Sequence, residues 1–357
     1  MNLTFKIYNN PEDEISKYWV ELEDKSSISC FQNYKWFKIW YEIFRKEATN
    51  YQIKIICVFE NSIPVAIFPF EIKKNFYLNI LTWAGGDKSD YFYPIIKSDF
   101  VFSKVSFNNL FNRIILEIDK IDLILFRRQI NFFNNKENPF VFYLNENYQD
   151  SKIYTINLPD KWNIYTKNFL KNSFFKQNLR KIKKLKENGI LRFVNIHDRN
   201  TSYLYLDKLL KYKNQQLKKN RAKVFDDLDI IFYRRIFESY KNINESHLSY
   251  LSLDNEILSI HFGLNQKKRF YYLIIANNNS KHDIYSPGRL LISFLIRWSI
   301  SKKINIFDFT LGDEKYKTDW SNSSLIIYNY CKLINFKAIC YYIYLKIFFI
   351  LRKFNKI

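Results

Sequence analysis

The sequence predicts an α/β (α+β) protein in which one unit of strands and helices is used twice. Three observations carry this expectation. Hydrophobic patterns of period two and period 3.6 alternate along the chain. The same order of elements occurs in both halves. One hairpin is echoed in the residues themselves: FENSIPVAIFPF from Phe59 aligns with LDNEILSIHFGL from Leu253, each with an acid–Asn turn between two strands. Upstream of each hairpin, EIFRK and RIFES match at nearly the same offset.

The first half reads as a strand over Thr4–Tyr8 and two helices, from Pro11 and from Tyr34. Strands follow at YQIKIICVF, SIPVAIFPFEI and FYLNILTWA, then a helix at FSKVSFNNLFNRIILEI and a strand at IDLILF. The second half repeats the series. ILRFVNI is a strand, and helices span Ser202–Lys219 and Asp226–Tyr240, the latter N-capped by Asp226. Strands come next at HLSYLSL, EILSIHFGL and RFYYLIIA. A helix opened by Ser-Pro-Gly-Arg and the strand INIFDF complete the set. The polar, turn-rich stretch Asn145–Trp162 reads as a linker. The expected organisation is a domain over 1–150, a second over 163–335, and a basic aromatic helix over 336–357.

Composition narrows the function. Aromatic content of 19% and hydrophobic content of 47% exclude a disordered chain. A net charge of +21 reads either as a solvated basic surface or as one that attracts an anionic partner: nucleotide phosphates, nucleic acid or an acidic membrane face. Cys30, Cys57, Cys331 and Cys340 form no C-x-x-C pair and read mainly as reduced core residues of a cytosolic protein. His197, His247 and His282 share no ligand spacing, so no metal is expected. The apolar run AICYYIYLKIFFIL is shorter than the roughly twenty residues a spanning helix needs. No secretory segment is expected at MNLTFKIYNN. The expected location is cytoplasmic, with peripheral contact at the inner face of the cytoplasmic membrane through the tail.

Five stretches occur in a telling order: WFKIWYEIF, WAGGDKSDYFYPII, NLRKIKKLKENGILRF, YSPGRLL and FDFTLGDEKYKTDW. With the element order, they make the chain resemble the tandem-GNAT acyltransferases, in the CelD-like branch related to the Fem peptidyltransferases. The resemblance implies two tandem GNAT-like domains, each a mixed, mainly antiparallel sheet flanked by helices. It also implies an N-acyltransferase that moves an acyl group from acyl-CoA to an amine. The acceptor implied is an amino sugar on a phosphorylated or lipid-linked envelope or polysaccharide precursor. The alternatives are a Fem-like transferase using aminoacyl-tRNA, or a non-catalytic binder of nucleic acid or anionic lipid. The usual Q/R-x-x-G-x-G/A phosphate loop is absent, and Ser286-Pro287-Gly288-Arg289 stands in its place.

Candidate residues follow. Ser286 is expected to cap its helix, with Pro287 at the first position, where a missing N–H costs nothing. Gly288 lets a ligand approach the backbone, and Arg289 adds charge beside a pyrophosphate. An amine attacking a thioester needs a base and an acid. Asp308 or Glu314 is the candidate base, Tyr316 the acid and Lys317 an anion contact. A solvated charged loop is the bland reading of the same stretch. His261, inside EILSIHFGL, is a second candidate base or a core histidine. Asp90 is a candidate acceptor contact or an Asx turn. In SFFKQNLRKIKKLKENG, Phe175, Leu179, Ile182 and Leu185 form the expected buried stripe, ended by Gly189. Arg180 and its lysine neighbours form a basic face for a phosphorylated substrate, tRNA or anionic lipid.

Overall fold

A computed structural model describes residues 3–75, 77–118, 120–240, 245–341 and 343. Packing divides the chain into two compact units: the residues up to Ser151 together with those from Ile326 on, and Lys152–Leu325.

The first unit contains β1 (Leu3–Tyr8), α1 (Ile15–Lys25), α2 (Tyr34–Phe44), β2 (Tyr51–Glu60), β3 (Ile63–Asn75), β4 (Leu78–Trp83), α3 (Lys104–Glu117) and β5 (Leu123–Ile130). Strands β1 to β4 pair antiparallel in chain order, and β4 and β5 run parallel, with Ile80 opposite Leu123. The β2–β3 turn holds Asn61 at φ 49° and Ser62 at φ 67°. Two successive residues with positive φ match the strands' right-handed twist in a two-residue turn. The core is built from rings. Phe70 stacks on Phe126 at 5.0 Å, and Phe140 meets Phe68 edge-on at 4.9 Å.

The second unit contains β6 (Asn147–Asn157), α4 (Asn172–Glu187), β7 (Leu191–Asn195), α5 (Arg199–Lys219), α6 (Asp227–Ser239), β8 (Ser246–Leu253), β9 (Glu256–Gln266), β10 (Arg269–Asn277), α7 (Pro287–Ser301) and β11 (Ile306–Asp308). Here β7 to β10 are antiparallel, β10 and β11 are parallel, and β11 pairs antiparallel with β6. Asp226 caps α6 as expected: it accepts from the Asp229 N–H, and Asp229 returns the bond. Each unit is thus a mixed, mainly antiparallel sheet flanked by helices.

The closing strands are exchanged with respect to chain order. The strand that follows the first repeat, β6, completes the second unit. The strand that follows the second repeat, β12 (Ser323–Leu333), pairs antiparallel with β5 in the first. The stretch expected to be a linker is therefore mostly strand. Its polar start masked the alternation in Ile153–Thr155, where Ile153 and Thr155 face inward.

Two further expectations change. Leu179 is 47% exposed, and Asn178, at 1%, takes its place on the inner face of α4. All four cysteines are free, but only Cys30 and Cys57 are buried, and Cys340 is exposed. Most of the tail helix expected over 336–357 lies outside the described residues. No helix among the described residues is long and apolar enough to cross a membrane.

Candidate active site in the second unit

Strand β10 ends at Asn277, a 3-10 turn covers Lys281–Tyr285, and α7 begins at Pro287. Pro287 opens the helix as expected. Ser286 does not cap it. The residue sits in the left-handed region, at φ 55° and ψ 60°, whereas capping needs an extended residue. Its hydroxyl instead accepts a hydrogen bond from Lys181 Nζ at 2.7 Å. No side-chain acceptor caps the first turn of α7, so the positive end of its dipole has no side-chain partner. At Gly288 an added Cβ would lie 2.6 Å from Asn277 Oδ1, so the tight approach here is to the end of β10.

Two cations flank this turn. Arg289 Nη2 donates to Gln177 Oε1 at 2.9 Å, and its guanidinium lies 4.0 Å over the Phe174 ring, both on α4. Arg289 Nε is buried without a partner. Burial lowers the Arg289 pKa, with Asp319 acting the other way. Burial and then the charge of Arg289 lower that of Lys181. Both cations are held partly dry beside each other, an arrangement that an anion relieves.

A cavity of about 240 Å³ opens at this turn, lined by Gly288, Arg289, Asn277, Gln216 of α5, Tyr272 of β10 and Tyr316. Burial and the charge of Glu314 raise the Tyr316 pKa, so the phenol keeps its proton at neutral pH. Tyr272 is fully buried, and burial followed by the neighbouring Tyr316 pushes its pKa well up. The two hydroxyls act on each other, but Tyr272 Oη closes no hydrogen bond of normal geometry.

The loop after β11 positions Tyr316. Asp308 is fully buried, pairs with Arg269 Nη1 at 3.0 Å and accepts from the Thr310 N–H at 2.8 Å. Thr310 stands at φ 55°, a strained conformation for a β-branched residue. A Cβ on Gly312, at φ 120°, would press to 2.8 Å from Lys317 Nζ. Lys317 is buried, ion-paired with the half-exposed Glu314 at 2.9 Å and bonded to the Leu311 carbonyl at 2.7 Å. Tyr154 Oη holds Asp313 at 2.9 Å. On α5, burial lowers the pKa of Lys213, with Glu314 opposing and Lys317 assisting. Lys213 thus lies within reach of that pair.

Not every expected residue joins this cluster. His261 is fully buried on β9, stacked on Tyr272 at 4.6 Å, and neither ring nitrogen has a partner. Burial, then His247, drives its pKa well down, so it is neutral. It is enclosed beside Tyr272, on the neighbouring strand of the same sheet. Arg180 points to solvent, and the next residue, Lys181, reaches the turn in its place. Asp90 lies in the first unit, where its charge acts on Arg128. No group of three His, Cys, Asp or Glu among the described residues is placed to hold a metal ion. Gln216, Tyr272 and Asn277 were missed by sequence reasoning, which placed Lys181 and Lys213 only within a general basic patch. The inner-face phase of α4, with Phe174, Asn178 and Lys181 spaced by four and three, is the signal that would have found Lys181.

Residues 172–318 match the sequence profile of the acetyltransferase (GNAT) domain family. No curated protein sequence matches the chain. Among solved structures, FemX superposes with a TM-score of 0.58 at 11% identity, over 91% of this chain and 97% of that one. A conserved protein of unknown function from Bacteroides thetaiotaomicron VPI-5482 gives 0.53 at 11% identity, over 92% and 99%. The C-terminal domain of a putative lysylphosphatidylglycerol synthetase from Agrobacterium fabrum gives 0.53 at 8% identity, over 91% and 93%. Residues 172–318 carry a GNAT-type acyltransferase domain, and 91–92% of the chain shares a fold with these proteins.

Proposed function

We propose that the second unit transfers an acyl group from an acyl-CoA thioester to an amine, in the manner of the CelD-like branch. One observation carries the reading: the uncapped start of α7, flanked by Lys181 and Arg289, shares a cavity with the protonated Tyr316. These residues suit the phosphates of CoA. Free first-turn N–H groups and two under-neutralised cations hold an anion. The unpaired Arg289 Nε is one donor awaiting an acceptor. A bound thioester supplies the acyl group and a thiolate leaving group.

The chain's own residues then divide the work. Tyr316 holds a proton in the cavity and donates it to the departing sulfur. Tyr272, beside it, offers the hydrogen bond that stabilises the resulting phenolate. Glu314 is the carboxylate available as a base for the amine, because Asp308 is committed to Arg269 and His261 is enclosed. Lys317 and Lys213 hold the acceptor side positive. That charge, with the net +21 of the chain, suits an amine on a phosphorylated or lipid-linked carrier such as an amino-sugar precursor.

A thermal melt tests the donor. CoA raises the melting temperature by mass action, and Lys181→Ala with Gly288→Glu abolishes the shift. Aminoacyl-tRNA is the second donor reading. It is favoured by the solvent-facing row Lys176, Arg180, Lys183 and Lys184 on α4. No shift with acyl-CoA, together with tight salt-sensitive tRNA binding, replaces the first reading by the second.

A further inference from the structure

The sheet of the first unit carries a short apolar row on the face opposite its aromatic core. Ile80 of β4 lies beside Leu123 of β5, and Leu123 pairs with Leu333 of β12. Leu78 and Leu125 adjoin them, while the alternate residues Leu81, Ile124 and Phe126 point into the core. A helix over residues 336–341 covers this row. Its start is anchored to Asp122, just before β5. Asn335 Nδ2 donates to Asp122 Oδ1 at 2.5 Å, and the Ile334 N–H donates to the Asp122 carbonyl at 2.9 Å. Asn335 Oδ1 then caps the helix by accepting from the Ala338 N–H at 3.2 Å.

The helix has two apolar sides. Ala338, 1% exposed, and Tyr341 pack on the sheet row. Phe336, Ile339 and Ile343 are spaced by three and four, which sets them on one side of a helix. At about 100° of turn per residue, that side lies opposite Ala338 and Tyr341. These three residues are 76%, 41% and 50% exposed. The sheet accounts for one side only. Large apolar side chains left in a row on the other mark a contact surface.

Charge identifies what meets it. Lys332 and Lys337 are exposed beside the row. Residues 336–357 contain Lys337, Lys346, Arg352, Lys353 and Lys356 and no acidic residue, in a chain of net charge +21. A second copy would set these cations against their own kind, with no carboxylate in the segment to match them. A phospholipid surface matches both features: acyl chains accept the apolar row, and anionic head groups accept the cations. No helix among the described residues is long and apolar enough to cross a bilayer, so the contact lies in the plane of the surface.

We infer that the outer side of this helix docks the protein on an anionic phospholipid bilayer, with Phe336, Ile339 and Ile343 among the acyl chains and Lys337 at the head groups. The inference concerns the first unit alone and does not depend on the transferase reading.

Co-sedimentation of the full chain with vesicles tests it. The native chain partitions onto vesicles of phosphatidylglycerol mixed with phosphatidylcholine, and about tenfold less onto phosphatidylcholine alone. The double variant Phe336→Gln, Ile339→Gln alters exposed side chains and keeps good helix formers, so its melting temperature stays that of the native chain. Its partition onto the mixed vesicles falls by about tenfold or more. Equal partition of this variant and the native chain assigns binding to general surface charge and overturns the inference. Failure of the native chain to bind the mixed vesicles overturns it outright. A melting temperature that drops in the variant shows the outer side to be covered within the chain itself, which also overturns it. Sedimentation velocity covers the remaining case: a native dimer that the variant splits puts a second copy in place of the lipid.

Discussion

The helix that follows the fourth strand begins differently in the two units. In the first, Ser103 is extended and accepts from the Ser106 N–H at 3.1 Å, while Ser106 Oγ accepts in turn from the Ser103 N–H. The start of α3 is closed by its own side chains. In the second, Ser286 is left-handed, its hydroxyl is turned to Lys181, and α7 starts open. The interiors differ in the same sense. Beneath α3 lie stacked rings, whereas the second unit buries His247, His261 and the Arg269–Asp308 pair. One fold thus serves twice, with a capped helix start in the first copy and an uncapped one in the second.

The contrast is broken most forcefully at the buried pair. Asp308→Asn removes the buried negative charge opposite Arg269, and costs about 3–5 kcal/mol in urea unfolding. A loss below 1 kcal/mol would return Asp308 to the pool of free bases. Tyr316→Phe comes next. Turnover falls by about a hundredfold with the fold and CoA binding retained, as expected for a lost general acid. Near-normal turnover removes the cavity from the chemistry.

The third effect separates the two interiors by pH. Burial lowers the pKa of His247 to about 3. Below about pH 6.5 the unfolded chain takes up protons that the folded chain refuses. Stability is therefore full above pH 6.5 and falls as the pH drops towards 3. At pH 5 the loss is roughly 2 kcal/mol from this residue alone. Urea midpoints at pH 7 and pH 5 read it, and His247→Leu reduces the slope, with His261 keeping its own share. A slope unchanged in that variant assigns the acid sensitivity elsewhere. The smallest effect is at the helix starts themselves. Ser103→Ala costs about 1 kcal/mol, whereas Ser286→Ala stays within about 0.5 kcal/mol. Equal losses would mean that α7 is capped after all.

Much of this architecture was legible in the sequence, because strand and helix periods are local properties. The cap at Asp226 and the proline at the start of α7 stand where the residues put them; both hairpins form, but their turns fall at Asn61–Ser62 and Asp254–Asn255, one residue off the aligned positions. The partners of that turn were not legible. Lys181, Tyr272 and Gln216 come from elements far apart in the chain, and only the sheet order brings them together. Leu179 was assigned inward because it is apolar, but the helix phase is set by Phe174, Phe175 and Ile182, which turn Asn178 and Lys181 towards the site. Asp308 and His261 had the right chemistry for catalysis, and only burial reveals that one is locked in an ion pair and the other enclosed.

The exchange of β6 and β12 has a consequence for how the protein is made. The first unit lacks its last strand until residues beyond Ile326 leave the ribosome, so β5 waits as a bare edge while the whole second unit is synthesised. The final pairing, Leu333 with Leu123, spans most of the chain, and such distant contacts form late. The part of the molecule emerging first is completed last, and in that interval its unpaired backbone is the surface a chaperone has most reason to cover.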